Sequence, residues 1–185
     1  MKNPLLGYCL NRDFKQRLSN SRQRLYRLAF SWCHAHDIAD DLVQETMAKA
    51  LMNSKQLRDP AALDSWLYGI LNNCWRDFLR SNRELDDIDE LVLLSKDTPE
   101  NAFERQDLTK VIQQQMEQLS IGHRQVVSLV DLQGCTYEEV SKVLNIPLGT
   151  VMSRLSRARK QLAEALLEYQ PVHSGNNNKV LRRVI

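Results

Sequence analysis

The spacing of the apolar residues constrains the fold more than any other feature, because they recur every three or four positions through most of the chain. In the first such stretch they are Phe14, Leu18, Leu25, Leu28, Ala29 and Trp32. This spacing places them on one face of an α-helix, whereas a half-buried strand needs alternation at every second residue. With six Gly in 185 residues and 6% aromatic residues, the chain is also short of the turn and strand formers of a β-sandwich. We therefore predict an all-α fold.

The N-terminal part is predicted to form three helices, over residues 14–32, 37–52 and 61–81. Asp37 is expected to cap the second helix, because a carboxylate at a helix start accepts hydrogen bonds from free backbone N–H groups. The turn Arg58-Asp59-Pro60 separates the second helix from the third. Three antiparallel helices of this length bury one small core. A helical module is therefore expected over residues 1–84.

An acidic stretch follows this module and lacks a sustained apolar period. Residues 85–118 hold nine acidic residues against three basic ones, and Thr98-Pro99-Glu100 breaks any helix. Such a composition is typical of a solvated connection between two modules. We predict a flexible acidic linker over residues 85–103, with the domain boundary inside it.

Helical spacing returns in the C-terminal part and predicts a second module over residues 104–170. The expected helices cover residues 104–118, 121–132, 137–144 and 149–168. A short helix, the turn Asn145-Ile146-Pro147-Leu148-Gly149 and a longer helix form the layout of a helix-turn-helix. The last residues, 171–185, carry three basic residues and no acidic ones and are predicted to be a flexible basic tail.

The helix-turn-helix pattern indicates a DNA-binding surface. Its apolar residues are spaced to meet in one core: Val140, Val143, Ile146, Val151 and Leu155. Thr136 and Glu139 have the spacing of a capping box, which fixes the start of the supporting helix. The second helix of such a motif lies in the major groove, and its short polar or basic residues are Thr150, Ser153, Arg154 and Arg157. The alternative is a helical corner without a ligand.

Several other functions are not supported by the sequence. The four cysteines have no paired spacing, no apolar run reaches the roughly 18 residues that span a bilayer, and no signal segment starts the chain. We therefore expect a cytoplasmic protein without membrane insertion.

Cys33 and His36 would share a helix face at i, i+3, but the further ligands of a metal site are missing. No catalytic constellation or phosphate-binding loop is present, so no enzyme activity, metal or cofactor is expected.

Two stretches resemble bacterial RNA polymerase sigma factors, and specifically the extracytoplasmic-function (ECF) group. The first comprises Asp40-Asp41-Leu42-Val43-Gln44-Glu45-Thr46, Ser65-Trp66-Leu67-Tyr68-Gly69-Ile70 and Asn73, which are similar to region two of these proteins. The second runs from Tyr137-Glu138-Glu139-Val140 to Ser156-Arg157-Ala158-Arg159 and is similar to region four. The two motifs occur in the family's order and together span most of residues 10–168.

The resemblance implies an alternative sigma factor that directs promoter-specific initiation. It implies that region two contacts the clamp helices of RNA polymerase core through Asp41, Gln44 and Glu45. It implies contacts with the opened minus-ten promoter element by Asp64, Ser65, Trp66, Asn73, Arg76 and Arg80, with Arg83 farther along. Region four would meet the polymerase flap and read the minus-thirty-five element through Thr150, Ser153, Arg154 and Arg157. Met152 departs from the family, where many relatives carry Lys or Arg. A cognate anti-sigma protein is a further expectation of the resemblance.

Two alternative functions remain open from the sequence. A free-standing dimeric helix-turn-helix regulator would bind duplex operators alone, with half-sites about one helical turn apart. A protein-only adaptor would bind a partner through its helices and no DNA. In the N-terminal module, Trp66 fits a core position better than a base-stacking platform.

Overall fold

The computed structural model describes the backbone of residues 4–86 and 105–168, and the side chains of residues 12–82 and 111–167. These residues form α-helices joined by short turns, and no β-strand occurs in either range. The chain divides into two compact units, residues 1–93 and residues 94–185. The predicted all-α fold with two helical modules is confirmed. Most of the predicted linker and the whole predicted tail lie outside the described residues.

The first unit is a three-helix arrangement, formed by α1 (Pro4–Cys33), α2 (His36–Met52) and α3 (Leu63–Asp86). Each of these helices packs against the other two. The fully buried side chains at their centre are large and apolar, namely Leu18, Leu25, Leu28, Trp32, Val43, Leu67 and Leu71. Burial of these side chains is the main stabilising contribution available to so small a unit.

Two details of this unit differ from the prediction. Helix α1 begins ten residues earlier than expected, at Pro4, because proline is well suited to the first helical position, where its missing N–H has no partner to lose. The prediction of Asp37 as the cap of α2 is wrong. The residue before α2 is Ala35, which makes no side-chain capping bond, and Asp37 lies in the first turn, where its carboxylate still interacts favourably with the helix dipole.

The second unit contains α4 (Arg105–Gln118), α5 (Ile121–Val127), α6 (Tyr137–Leu144) and α7 (Leu148–Glu168). A π-helical turn, Ser128–Leu132, continues α5. Helix α7 packs against α4, α5 and α6. It is the centre of the unit because one side of it is completely buried, at Val151, Leu155 and Ala158.

The predicted helix-turn-helix is confirmed by its local geometry. The Thr136 hydroxyl accepts a hydrogen bond from the Glu139 backbone N–H at 3.2 Å, and the Glu139 carboxylate accepts one from the Thr136 N–H at 2.8 Å. This capping box starts α6. Asn145 then ends α6 in the left-handed conformation, with a φ of 53°, which asparagine tolerates better than most residues. The chain therefore reverses within three residues and enters α7.

Candidate polymerase and nucleic-acid interfaces

The three residues expected to contact polymerase core lie on the solvent side of α2. Asp41, Gln44 and Glu45 are all exposed, whereas Leu42 and Val43 between them are buried. The helical period explains this alternation, because residues 41, 44 and 45 fall on one face and residues 42 and 43 on the opposite one. The structure therefore brings the three polar side chains together on one accessible surface.

Glu45 already has a partner within the unit. The Lys49 ammonium lies 2.7 Å from Glu45 Oε1, one helical turn away, and 3.7 Å from Asp77 Oδ2 on α3. The hydrogen bond with Glu45 raises the pKa of Lys49 above its ordinary value, despite partial desolvation. Lys49 thus holds two carboxylates of neighbouring helices in place and neutralises part of their charge.

A groove between α2 and α3 adjoins this polar face. It is lined by Ile38, Asp41, Leu42, Glu45, Asp77, Phe78 and Ser81. Carboxylates line it together with apolar side chains, so the groove is suited to a partner helix that carries both basic and apolar residues. Asp77 and Phe78 did not emerge from the sequence, because only the packing of α3 against α2 places them beside Asp41 and Glu45.

One face of α3 carries most of the residues expected at the minus-ten element. Trp66, Asn73, Arg76 and Arg80 follow one another at intervals of seven, three and four residues, which aligns them along the helix. Asn73, Arg76 and Arg80 are exposed, and Trp66 is half-buried. The ring of Trp66 lies 6.4 Å from that of Phe14 on α1, in a tilted arrangement, and the half-buried indole keeps an accessible part.

Asp64 and Ser65 have different surroundings from this face. Asp64 pairs with Arg24 of α1, and the Ser65 hydroxyl donates to the Ala62 carbonyl at 3.1 Å. Arg24 also hydrogen-bonds Tyr68, which is the largest cause of its raised pKa. Both side chains therefore hold the start of α3 in place.

The four residues expected to read DNA lie near the start of α7. Ser153 and Arg157 are exposed, and Thr150 and Arg154 are half-buried. The Ser153 hydroxyl donates to the Thr150 carbonyl at 3.2 Å, which leaves its oxygen free to accept. Met152 is 52% exposed, so this position presents an uncharged thioether to solvent.

The arginines of the second unit fall into two groups. Arg124 donates to the carbonyls of Met116, Glu117 and Leu119 and thereby closes the end of α4. Arg159 pairs with Asp131, with 2.5 Å between Nη2 and Oδ1. Within the described residues, Arg154 and Arg157 make no such pair with a carboxylate. Their charges are therefore available to a phosphate, whereas those of Arg124 and Arg159 stabilise the fold.

His123, at the start of α5, is close to this second pair of arginines. Burial lowers the pKa of His123 below its ordinary value of 6.5, and the charges of Arg154 and Arg157 lower it further. Both effects disfavour the imidazolium form. His123, Arg154 and Arg157 therefore form one cluster, to which α5 contributes the histidine and α7 the arginines.

The prediction that Cys33 and His36 share a helix face is wrong. Cys33 ends α1 and His36 begins α2, because His34 reverses the chain with a φ of 53°. The His36 ring stacks on Phe30, with 4.6 Å between centroids, and its Nδ1 lies 2.6 Å from the Tyr26 hydroxyl. Over the residues whose side chains are described, no group of three or more His, Cys, Asp or Glu side chains could hold a metal ion. In the same part of the chain, no helix has the length and apolarity needed to cross a bilayer.

We expect the titration of His123 to report the arginine cluster. Its pKa should lie below 6.5 and rise toward that value in Arg154→Ala, with burial keeping it from reaching 6.5. The unfolded chain then binds a proton more readily than the folded one below pH 6.5, so His123 reduces stability as the pH falls. His123→Gln should remove this contribution. NMR titration of the imidazole, assigned with His123→Gln, measures the pKa, and a value of 6.5 or more in the unchanged chain contradicts the placement.

Comparison with known proteins assigns both units to one family. The family "Sigma-70 region 2" matches residues 19–84, and "Sigma-70, region 4" matches residues 109–162. The chain is 31% identical over 153 residues to the ECF RNA polymerase sigma factor EcfG of Rhodopseudomonas palustris, with 80% of this chain and 82% of that protein covered. It is 32% identical over 152 residues to the ECF RNA polymerase sigma factor SigE of Mycolicibacterium smegmatis, covering 79% of this chain and 58% of that relative's length.

A solved structure has a similar fold. It is the sigma factor RpoE of Bartonella quintana, in complex with the anti-sigma factor NepR, with a TM-score of 0.72 and 32% sequence identity. The match covers 85% of this chain and 99% of that one. The two sigma regions match in their usual order, region 2 on the first unit and region 4 on the second. Both matches therefore indicate the same family. The chain belongs to the extracytoplasmic-function group of RNA polymerase sigma factors.

Proposed function

We propose that this chain binds RNA polymerase core through α2 and directs initiation at promoters that its α3 and α7 recognise. The observation that carries the proposal is the position of four cations that form no ion pair with the described side chains. Arg76 and Arg80 on α3, and Arg154 and Arg157 on α7, lie within the two segments that match sigma regions two and four. Phosphate contacts from such side chains position a protein on DNA, and neighbouring polar groups read the bases.

The first unit has the features needed to hold an opened strand. Asn73 is exposed on the same face as Arg76 and Arg80, so its amide can hydrogen-bond an unpaired base while the two arginines follow the phosphates. The accessible side of Trp66 offers a stacking surface next to it. Asp64 and Ser65 support this role indirectly, by fixing the first turn of α3.

The second unit has the features needed to read duplex DNA. Helix α7 enters the major groove with Thr150, Ser153 and Arg157 toward the base edges and Arg154 toward the backbone. The same unit would meet the polymerase flap, as the family assignment implies. The chain contributes binding and orientation in the cytoplasm, where the polymerase works, and the polymerase carries out the chemistry.

Regulation by an anti-sigma protein is part of the proposal. The Bartonella relative was solved with the anti-sigma factor NepR bound to it. A partner of that kind would inhibit this chain by covering the faces that polymerase core and DNA use. The acidic and apolar groove between α2 and α3 is the surface of the first unit best suited to such a competitor.

The core-binding surface is tested by Asp41→Arg with Glu45→Arg. We expect the affinity for polymerase core to fall about tenfold or more, because charge reversal replaces attraction by repulsion at the contact. Affinity is measured by titrating labelled chain with purified core. Asp13→Arg, which reverses an exposed carboxylate on α1, is the matched control. Unchanged affinity in a double variant that keeps its helical circular dichroism would remove α2 from the interface.

The base-binding role of Asn73 is tested by Asn73→Ala. We expect promoter opening to decrease more than closed-complex formation, because the amide can bond an extruded base but gains little from intact duplex. Permanganate reactivity of unpaired thymines measures opening at matched occupancy. Gln23→Ala, which removes an exposed amide on α1, should open promoters like the unchanged chain. Equal opening by Asn73→Ala would exclude the role.

A further inference from the structure

Arg154 occupies a position on α7 between the buried side and the exposed side. It follows Val151 by three residues and precedes Ala158 by four, and both of those residues are fully buried. Residues at these spacings are neighbours on a helix surface. The Arg154 side chain therefore starts beside the core, and its guanidinium lies next to the neighbouring helix, α5. Arg157, by contrast, is exposed.

The guanidinium of Arg154 lies against the backbone of α5 at Gly122. A Cβ atom on Gly122 would be 2.9 Å from Arg154 Nη1, 3.1 Å from Cζ and 3.4 Å from Nε. Three bonded atoms at similar distances mean that the group lies across this site and does not point end-on at it. In this position the Arg154 guanidinium leaves too little room for a Cβ atom on residue 122.

We propose that Gly122 is a positioning residue that holds Arg154 ready for a DNA phosphate. The inference rests on the proposed DNA-binding function of α7 and adds a residue of α5 to it. An arginine free in solvent gives up side-chain freedom when it binds, whereas one already fixed has less to lose. The N–H donors of a guanidinium lie in its plane, so a group resting on Gly122 still presents its edge to an acceptor beyond the helix.

The surroundings of Arg154 point to an anion as the ligand. His123 lies close enough to Arg154 and to Arg157 for both positive charges to lower its pKa, while no described carboxylate pairs with Arg154. Neighbouring cations without a carboxylate partner favour an anionic ligand, and a DNA phosphate is such a ligand. Arg124 and Arg159, which serve the fold, are bound to carbonyls and to Asp131 instead.

Gly122→Ala should separate DNA binding from stability. The new Cβ would come too close to Arg154 Nη1, and the flexible end of the arginine would move in response, so the fold should survive. Alanine is also a better helix former than glycine, which predicts an unchanged or higher melting temperature. A glycine needed only for packing would give the opposite result, with lower stability.

The test measures DNA affinity of the full chain by fluorescence anisotropy. The probe is a DNA duplex of about 30 base pairs, roughly three helical turns. Its sequence is one that the unchanged chain selects from a random library. Affinity is recorded over a range of salt concentrations, because each lost phosphate contact reduces the slope of log K against log salt by about one. Four variants are compared with the unchanged chain: Gly122→Ala, Arg154→Ala, the double variant, and Gly69→Ala. Gly69 is a helical glycine with no atom near its Cβ position, which makes it the matched control.

We expect Arg154→Ala to lower the affinity and to reduce the slope by about one. Gly122→Ala should lower the affinity by a smaller factor, because Arg154 can still reach the phosphate but must first be ordered. The double variant should bind like Arg154→Ala. Gly69→Ala should bind like the unchanged chain. If Arg154→Ala lowers the affinity but Gly122→Ala does not, Arg154 contacts DNA without help from Gly122 and the inference is wrong. An additive loss in the double variant also overturns it. If Arg154→Ala has no effect, the proposed phosphate contact itself fails, and the role of Gly122 fails with it.

Discussion

Burial of one apolar side on every helix is the constraint on which the rest of the structure depends. Each unit is small, so most of its large apolar side chains must face inward to form a core. In the first unit the three helices turn Leu25, Val43 and Leu67 to a common centre. The opposite sides of α2 and α3 then have to be polar. The surfaces that we propose for polymerase and DNA are thus a consequence of how the core is filled.

Pairing among charged side chains then determines which polar groups remain available. Lys49 engages Glu45 and Asp77, Arg24 engages Asp64, and Arg159 engages Asp131. Exposed pairs of this kind contribute little to stability, on the order of 0–1 kcal/mol each. They nevertheless fix the orientation of side chains at helix junctions. Among the described side chains, the arginines proposed to contact DNA on α3 and α7 have no such partner, so their charge is available to a nucleic acid.

The helices could be predicted from the sequence because helical period and capping are local properties. The supporting helix of the helix-turn-helix begins and ends where Thr136, Glu139 and Asn145 indicate. Contacts between helices could not be predicted from such local properties. The pairing of Asp64 with Arg24, the contribution of Asp77 to the α2 surface and the contact of Arg154 with Gly122 each join residues more than 25 positions apart. The start of α2 shows a related limit, because Asp37 was a reasonable cap from the sequence but the turn at His34 starts the helix earlier.

The central claim is that two helical units act together as a promoter-specificity subunit of the polymerase. Run-off transcription with purified core polymerase and a pool of genomic promoter fragments tests it most directly. The full chain should bring about new transcripts that start at fixed positions, only when core is present, and their templates should share two upstream elements. The opposite result would be that no transcript depends on the chain and that the chain alone binds duplex DNA as a dimer. That result would contradict a role as a polymerase subunit.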